Sequence, residues 1–265
     1  MFPVIRMFGL TLPVGPLLAV LAFYLGTEVG GRAMGRTASA AQRTRWQALF
    51  NNAVWVGLIA GLIGARLGYA ARYYPIYLDA PALLFSIRPG TLALWPGLLA
   101  GAAAALFYLQ RKAIGLAQVA DAAAIGLCAA LAMVSLRNFL LGSDYGAPTT
   151  LPWGIDLWLD IRHPVQVYEM ILLLIALVIL WRYQESALPG ETVWRFVAFY
   201  STIELFVTAF RANFSTWMLG IRAAQVGALA VLLTALYILS FYAQRRATAN
   251  PTQAESEFAA LEGGL

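Results

Sequence analysis

Seven long apolar runs, near 8–31, 48–74, 91–109, 115–141, 165–182, 193–213 and 220–243, constrain this chain more than any other feature. A hydrocarbon core of about 30 Å takes about 20 residues of α-helix to cross, and in lipid a helix satisfies its own backbone polar groups. With 61% hydrophobic residues, 12% charged residues and a mean hydropathy of +0.71, the chain has too little polar surface to cover such runs in water. The expected fold is therefore all-α: a polytopic bundle of about seven transmembrane helices. Residues 1–246 are expected to form one transmembrane domain, followed by a polar tail, 247–265, too poor in apolar residues to pack. The first run is long, carries Glu28 and lacks a small-residue cleavage pattern after it, so it reads as a retained helix rather than a signal peptide.

The net charge of +5 does not point to nucleic acid, because the basic residues fall between the apolar runs and never cluster. Anionic lipid is the partner that such an arrangement fits. Arg32, Arg36, Arg43, Arg45, Arg111, Lys112, Arg182, Arg195, Arg245 and Arg246 lie on one side of the seven runs. Arg6, Arg72, Arg88, Arg162, Arg211 and Arg222 lie on the other. The ten-to-six asymmetry places the C-terminus in the cytoplasm and the N-terminus outside, with Asp79, Asp144, Asp156 and Asp160 external too. One cysteine, Cys128, inside an apolar run, and one histidine give no metal-binding pattern, and no cofactor is expected. Gly57, Gly61, Gly64 and Gly68, and then Gly97 and Gly101, recur at helical spacing and predict close backbone packing.

Four ionisable residues sit inside apolar runs, where a charge costs about 2.5–3.5 kcal/mol on insertion scales. They are Arg66, Arg137, Glu204 and Arg211. Glu204, Thr208 and Arg211 share one helix face by their spacing. Three guanidiniums with one carboxylate suit either the phosphate of a phospholipid or a structural ion-pair network, and sequence spacing leaves both open. Glu204 needs a cation beside it; Arg66 and Arg137 are the candidates by depth, with Arg137 preferred. His163, before Pro164 at the outer start of the fifth run, is either structural or able to move a proton.

Several strings together resemble the bacterial prolipoprotein diacylglyceryl transferase family. They are Gly64-Ala65-Arg66-Leu67-Gly68-Tyr69, then Asn138-Phe139 with Gly142 and Gly146, then Pro148-Thr149 and Leu151-Pro152-Trp153-Gly154. His163-Pro164-Val165-Gln166-Val167-Tyr168-Glu169 follows. The resemblance covers most of residues 9–243 and identifies the chain as a divergent member. It implies transfer of the diacylglyceryl group of phosphatidylglycerol to the lipobox cysteine of a preprolipoprotein, releasing glycerol phosphate and leaving a thioether. It implies a multi-pass protein of the bacterial cytoplasmic membrane with its site facing outward. Asn138 and His163, which match, and Arg137 and Glu204, which stand beside or at the family's arginine positions, are the candidates for catalysis. Arg66, Arg137, Arg211, Gly142, Gly146, Gln166, Tyr168 and Glu169 are candidates for binding phosphatidylglycerol or another anionic phospholipid, beside the signal peptide of the acceptor.

The chain departs from the family's pattern at polar positions. Trp95 stands where the family carries a histidine and Ser135 where it carries an arginine, with Arg137 displaced to the position beside Asn138. Ser143 and Thr208 replace glutamates, Glu204 replaces an arginine, and Leu12 replaces a tyrosine. Two readings follow: an enzyme in which Arg137 and Arg66 hold phosphate while His163 or Glu204 handles the proton, or a catalytically altered relative that binds lipid or a partner. A secondary transporter is the weaker third, since no internal repeat is visible. The segment 142–163 is too long for a minimal connection and is expected to fold back over the outer mouth, with Trp153 or Trp158 at the interface. Reporter fusions at residue 40, residue 155 and the C-terminus are expected to read inside, outside and inside; any other pattern overturns the orientation.

Overall fold

The computed structural model describes residues 4–7, 10–86, 89–112, 114–212 and 222–249. Arg88 and residues 250–265 of the expected tail lie outside the described residues. Eight α-helices are present among those described: α1 (Val14–Arg36), α2 (Arg43–Arg72), α3 (Tyr74–Asp79), α4 (Leu94–Arg111), α5 (Leu116–Leu141), α6 (Val165–Tyr183), α7 (Glu191–Thr208) and α8 (Ala223–Ala249). All but the six-residue α3 correspond to the seven apolar runs. Five helical segments are long and apolar enough to cross a membrane: 14–36, 43–72, 116–141, 165–186 and 223–248. The other two long helices, α4 and α7, have 18 residues each, and α7 carries Glu191, Arg195 and Glu204.

The first helix begins later than the hydrophobicity pattern predicts. Strand β2 (Leu10–Pro13) occupies the start of that run and pairs antiparallel with β1 (Val4–Met7) just before it, Val4 opposite Pro13 and Met7 opposite Leu10. An apolar run of this length does not distinguish a short strand pair from a helix turn. Pro16 falls in the first turn of α1, where a missing N–H costs no intrahelical bond. The last helix runs beyond Arg246, to Ala249.

The chain forms two compact units. Residues 30–119 make one and residues 1–29 with 120–265 the other, so that the boundary passes through α1. In the first unit α2 and α4 pack through the predicted glycine stripe. A Cβ placed on Gly57 would lie 3.2 Å from the carbonyl oxygen of Gly101, and one on Gly61 would lie 3.2 Å from that of Gly97. With no side chain between them the backbones approach directly, which supplies packing where lipid supplies no hydrophobic drive. The glycines thus have the packing role expected of them.

The second unit is built on α5, α6, α7 and α8. Ile125 and Cys128 of α5, Leu173 and Leu180 of α6 and Val207 of α7 are all buried to within 1% of full burial. Cys128 is a small core residue whose thiol donates to the carbonyl of Leu173, 3.3 Å away. Asp121, buried in α5, accepts from the backbone N–H groups of Gly190 (2.7 Å) and Val193 (2.8 Å). It therefore caps α7 from a neighbouring helix, satisfying N–H groups that have no intrahelical acceptor and placing a carboxylate at the positive end of the dipole. Glu191 then joins Arg195 and Arg246, each at 2.6 Å, tying the start of α7 to the end of α8.

Gly101→Val is expected to lower stability by about 1–3 kcal/mol, because its Cβ would lie 2.7 Å from the Gly57 carbonyl oxygen. Gly227→Ala, with nothing within 4 Å, is expected to leave stability unchanged or raise it by about 1 kcal/mol. Thermal unfolding in detergent compares the two; equal effects would contradict the packing role.

Candidate functional site

The site begins where α5 stops. The N–H of Ser143 donates to the carbonyl of Asn138 (3.0 Å) and that of Gly142 to Phe139 (3.2 Å), the double bond pattern of a Schellman cap. Gly142 has φ 68°, a left-handed conformation that a side chain would strain. Its freed carbonyl accepts from the Trp158 indole (3.1 Å), and the next carbonyl, Ser143, accepts from the Gln166 amide (2.6 Å). Gln166 is 1% exposed, so the first turn of α6 is locked onto the end of α5.

The segment 142–163 then folds onto the helix ends, as expected. The Ala147 N–H donates to Phe210 (2.7 Å) and the Ala212 N–H to Tyr145 (3.1 Å), while His163 donates to Ala147 (3.1 Å) and Thr149 to Ile161 (2.8 Å). Residues 145–149 are thus paired on both sides, with the chain leaving α7 on one side. On the other is the hairpin of β3 (Ile155–Leu157) and β4 (Asp160–Arg162). Gly146 is required here by close approach, since a Cβ would lie 2.6 Å from the His163 Cβ and closer still to its carbonyl oxygen. Arg162 closes the arrangement, donating to the carbonyls of Leu157 and Gly146 with its guanidinium 5.0 Å from the Tyr145 ring centre. Trp153 and Trp158 are both more than half exposed.

This pairing positions Arg211, opposite Gly146. The guanidinium bridges two carboxylates, Glu169 of α6 at 3.1 Å and Glu204 of α7 at 3.5 Å, and Thr208 donates to the same Glu204 oxygen at 3.4 Å. The expected partner of Glu204 is corrected: it is Arg211, not Arg137 or Arg66. The helix ends at Thr208, so Arg211 does not share a helix face with Glu204 as the spacing predicted; it lies just beyond the end of α7, where the pairing with Gly146 turns it back toward the carboxylate. The Arg211 Nε is buried and makes no hydrogen bond among the described residues.

Arg137 belongs to a second group. Its Nε donates to the Gly15 carbonyl at the start of α1 and its Nη1 to the Asn138 side-chain oxygen, each at 3.0 Å. The Asn138 amide donates in turn to Asp144 (2.9 Å), a residue at positive φ that sequence reasoning placed outside but did not assign. The two acceptors of Arg137 are neutral, so its charge is not cancelled by direct contact. Ser135 is buried and donates back to the Leu131 carbonyl.

The same compact unit holds an apolar cavity of about 410 Å³, lined by Leu151, Trp153, Ile171, Leu172, Phe206 and Phe210, with His163 and Tyr168 its polar members. The Trp153 indole donates to the Tyr168 hydroxyl (2.8 Å), which stands 3.4 Å from the His163 Nδ1. The Phe210 ring centre is 5.0 Å from that of His163. Sequence reasoning placed Trp153 at an interface but gave no hint of this contact, because it joins a loop to a helix across 15 residues.

Arg66 belongs to the other compact unit. Its nitrogens donate to the carbonyls of Leu83, Leu84 and Thr91 and to the hydroxyls of Ser86 and Thr91. Its guanidinium is thus occupied in holding the 83–91 segment against α2. Trp95 is 73% exposed.

A family model described as prolipoprotein diacylglyceryl transferase matches residues 3–241. Among curated relatives, the phosphatidylglycerol–prolipoprotein diacylglyceryl transferase of Corynebacterium diphtheriae is 30% identical over 72% of this chain and 76% of its own length. That of Geobacter sulfurreducens is 32% identical over 74% and 76%. That of Cutibacterium acnes is 31% identical over 73% and 70%.

The shared guanidinium makes a thermodynamic cycle informative. Glu204→Gln and Arg211→Gln are each expected to destabilise, and the double substitution to cost less than the sum by about 0.5–3 kcal/mol, since a carboxylate left without its cation is the dominant penalty. Strict additivity in detergent melts would refute the pairing.

Proposed function

Because the chain belongs to the prolipoprotein diacylglyceryl transferase family, we propose that it moves the diacylglyceryl group of phosphatidylglycerol to the lipobox cysteine thiol of a preprolipoprotein, at the outer side of the bacterial cytoplasmic membrane. The observation that carries this reading is the apolar cavity of about 410 Å³ with His163 and Tyr168 in its wall, in the same unit as two guanidiniums. A diacylglyceryl donor is an apolar body joined to an anionic head, and such a site offers surface for both.

In this reading Arg137 is the principal phosphate ligand, because its protein partners are a backbone carbonyl and an amide. A guanidinium kept charged and held by its Nε can present its remaining N–H groups to phosphate oxygens. Arg211, with two carboxylates against it, contributes less charge but has its Nε left to donate. Cationic stabilisation of the phosphate lowers the barrier as the carbon–oxygen bond breaks. His163 or Glu204 handles the thiol proton. Asn138 positions Arg137, and Gly142, Gly146 and Gln166 act by holding the loop, as their contacts support. Arg66 serves by fixing the 83–91 segment.

One observation favours a second reading, a lipid- or partner-binding relative without catalysis: Glu204 and Glu169 together offset the charge of Arg211. Expression in cells depleted of their own transferase separates the two. Wild-type protein is expected to restore diacylglyceryl modification of prolipoprotein, and Arg137→Gln to lower it about 100-fold or more, the scale of losing one preorganised donor to a developing anion. Normal amounts of membrane-inserted protein with unmodified prolipoprotein would establish the second reading.

A further inference from the structure

The geometry points to a directional hydrogen-bond chain, Trp153 to Tyr168 to His163, that fixes the imidazole as an Nε2–H donor at the apolar cavity. Trp153 and Tyr168 are then positioning residues, and His163 acts on the departing phosphate rather than on the thiol. This rests on the transfer reaction proposed above and deepens it by assigning one of its two proton-handling candidates.

The direction follows from the groups themselves. An indole N–H only donates, so the Tyr168 oxygen, 2.8 Å from the Trp153 Nε1, is the acceptor in that contact. A hydroxyl that accepts one bond donates the next more strongly, because the two polarise each other in a low-dielectric site. The Tyr168 proton has the His163 Nδ1 before it at 3.4 Å. A neutral imidazole that accepts at Nδ1 carries its proton at Nε2. The ring is held in place by its surroundings: the backbone N–H of His163 donates to the Ala147 carbonyl, Gly146 packs against the His163 Cβ, and the Phe210 ring centre lies 5.0 Å from that of the imidazole. The loop that carries Trp153 thus both walls the cavity and sets the tautomer of the imidazole beside it.

The consequence is a division of labour. As the thiol sulfur forms its bond to the glyceryl carbon, the carbon–oxygen bond breaks and its electron pair stays on the phosphate oxygen of the released glycerol phosphate. An Nε2–H is suited to receive that oxygen and unsuited to take a proton, which leaves the thiol proton to Glu204.

The chain has a single histidine, so protein labelled with ¹⁵N-histidine gives one imidazole spectrum. In detergent at alkaline pH, the wild type is expected to show its proton on Nε2 and a hydrogen-bonded, unprotonated Nδ1. Tyr168→Phe is expected to return the ring to the averaged tautomers of a free imidazole, and Trp153→Phe to move it the same way by less. In transfer assays with a lipobox peptide and phosphatidylglycerol vesicles, Tyr168→Phe should lower kcat about threefold to tenfold, the worth of one neutral hydrogen bond, with KM for lipid unchanged. A wild-type proton on Nδ1 would overturn the inference, as would a Tyr168→Phe spectrum like the wild type; the wild-type spectrum decides even if the variants fail to fold. Wild-type protein that transfers nothing would overturn the proposed reaction instead, and the spectrum would still decide the chain.

Discussion

The pairing of residues 145–147 with residues 210–212 is the constraint on which the rest of the site depends. Two backbone hydrogen bonds, Ala147 to Phe210 and Ala212 to Tyr145, fix the chain at the point where it leaves α7. That places Arg211 between Glu169 and Glu204, and Phe210 against His163. The pairing is possible because Gly146 has no side chain to meet the His163 backbone and because Gly142 reverses the chain after α5. Two glycines therefore act on the chemistry from a distance, by letting backbone lie where a Cβ would not fit.

Charge in this protein is handled by two devices. Where a charge has a fixed structural task it is surrounded by complementary groups: Asp121 by the N–H groups at the start of α7, Arg66 by the carbonyls of the 83–91 segment, Glu191 by two arginines. Burial of an ion is tolerable on those terms, since each partner offsets part of the lost hydration. Among the described residues Arg137 differs, its acceptors being neutral, and the buried Nε–H of Arg211 has no acceptor. That difference is the physical reason for proposing that an anionic headgroup binds at these two guanidiniums.

The residues expected from the sequence to depart from the family's pattern have local surroundings of their own. Glu204 on α7 and Glu169 on α6 clasp one arginine from two sides, so the Glu204 carboxylate is accommodated by a cation just beyond the end of its own helix. Ser135 returns its hydroxyl to the helix backbone and needs no other partner. Nothing in the structure explains Trp95, whose ring is largely exposed.

The long helices were legible in the sequence because an apolar run of about 20 residues has one stable answer in lipid. The glycine stripe on α2 and the placement of a compact loop at 142–163 were legible too, since spacing alone puts Gly57 and Gly61 on one face and a loop rich in Pro, Trp and Gly over helix ends. The paired start of the chain was not, because four-residue strands and a helix turn share the same apolar signal. Nor was the choice of partners. Depth along a helix made Arg137 the candidate for Glu204, but depth says nothing of rotation about the axis or of where a loop returns. Only the tertiary structure put Arg211 there, set Trp153 on Tyr168 and gave Asp121 the end of another helix to cap. Residue type fixes what a group can donate or accept, whereas its partner is decided by backbone pairings and helix contacts between residues far apart in the chain.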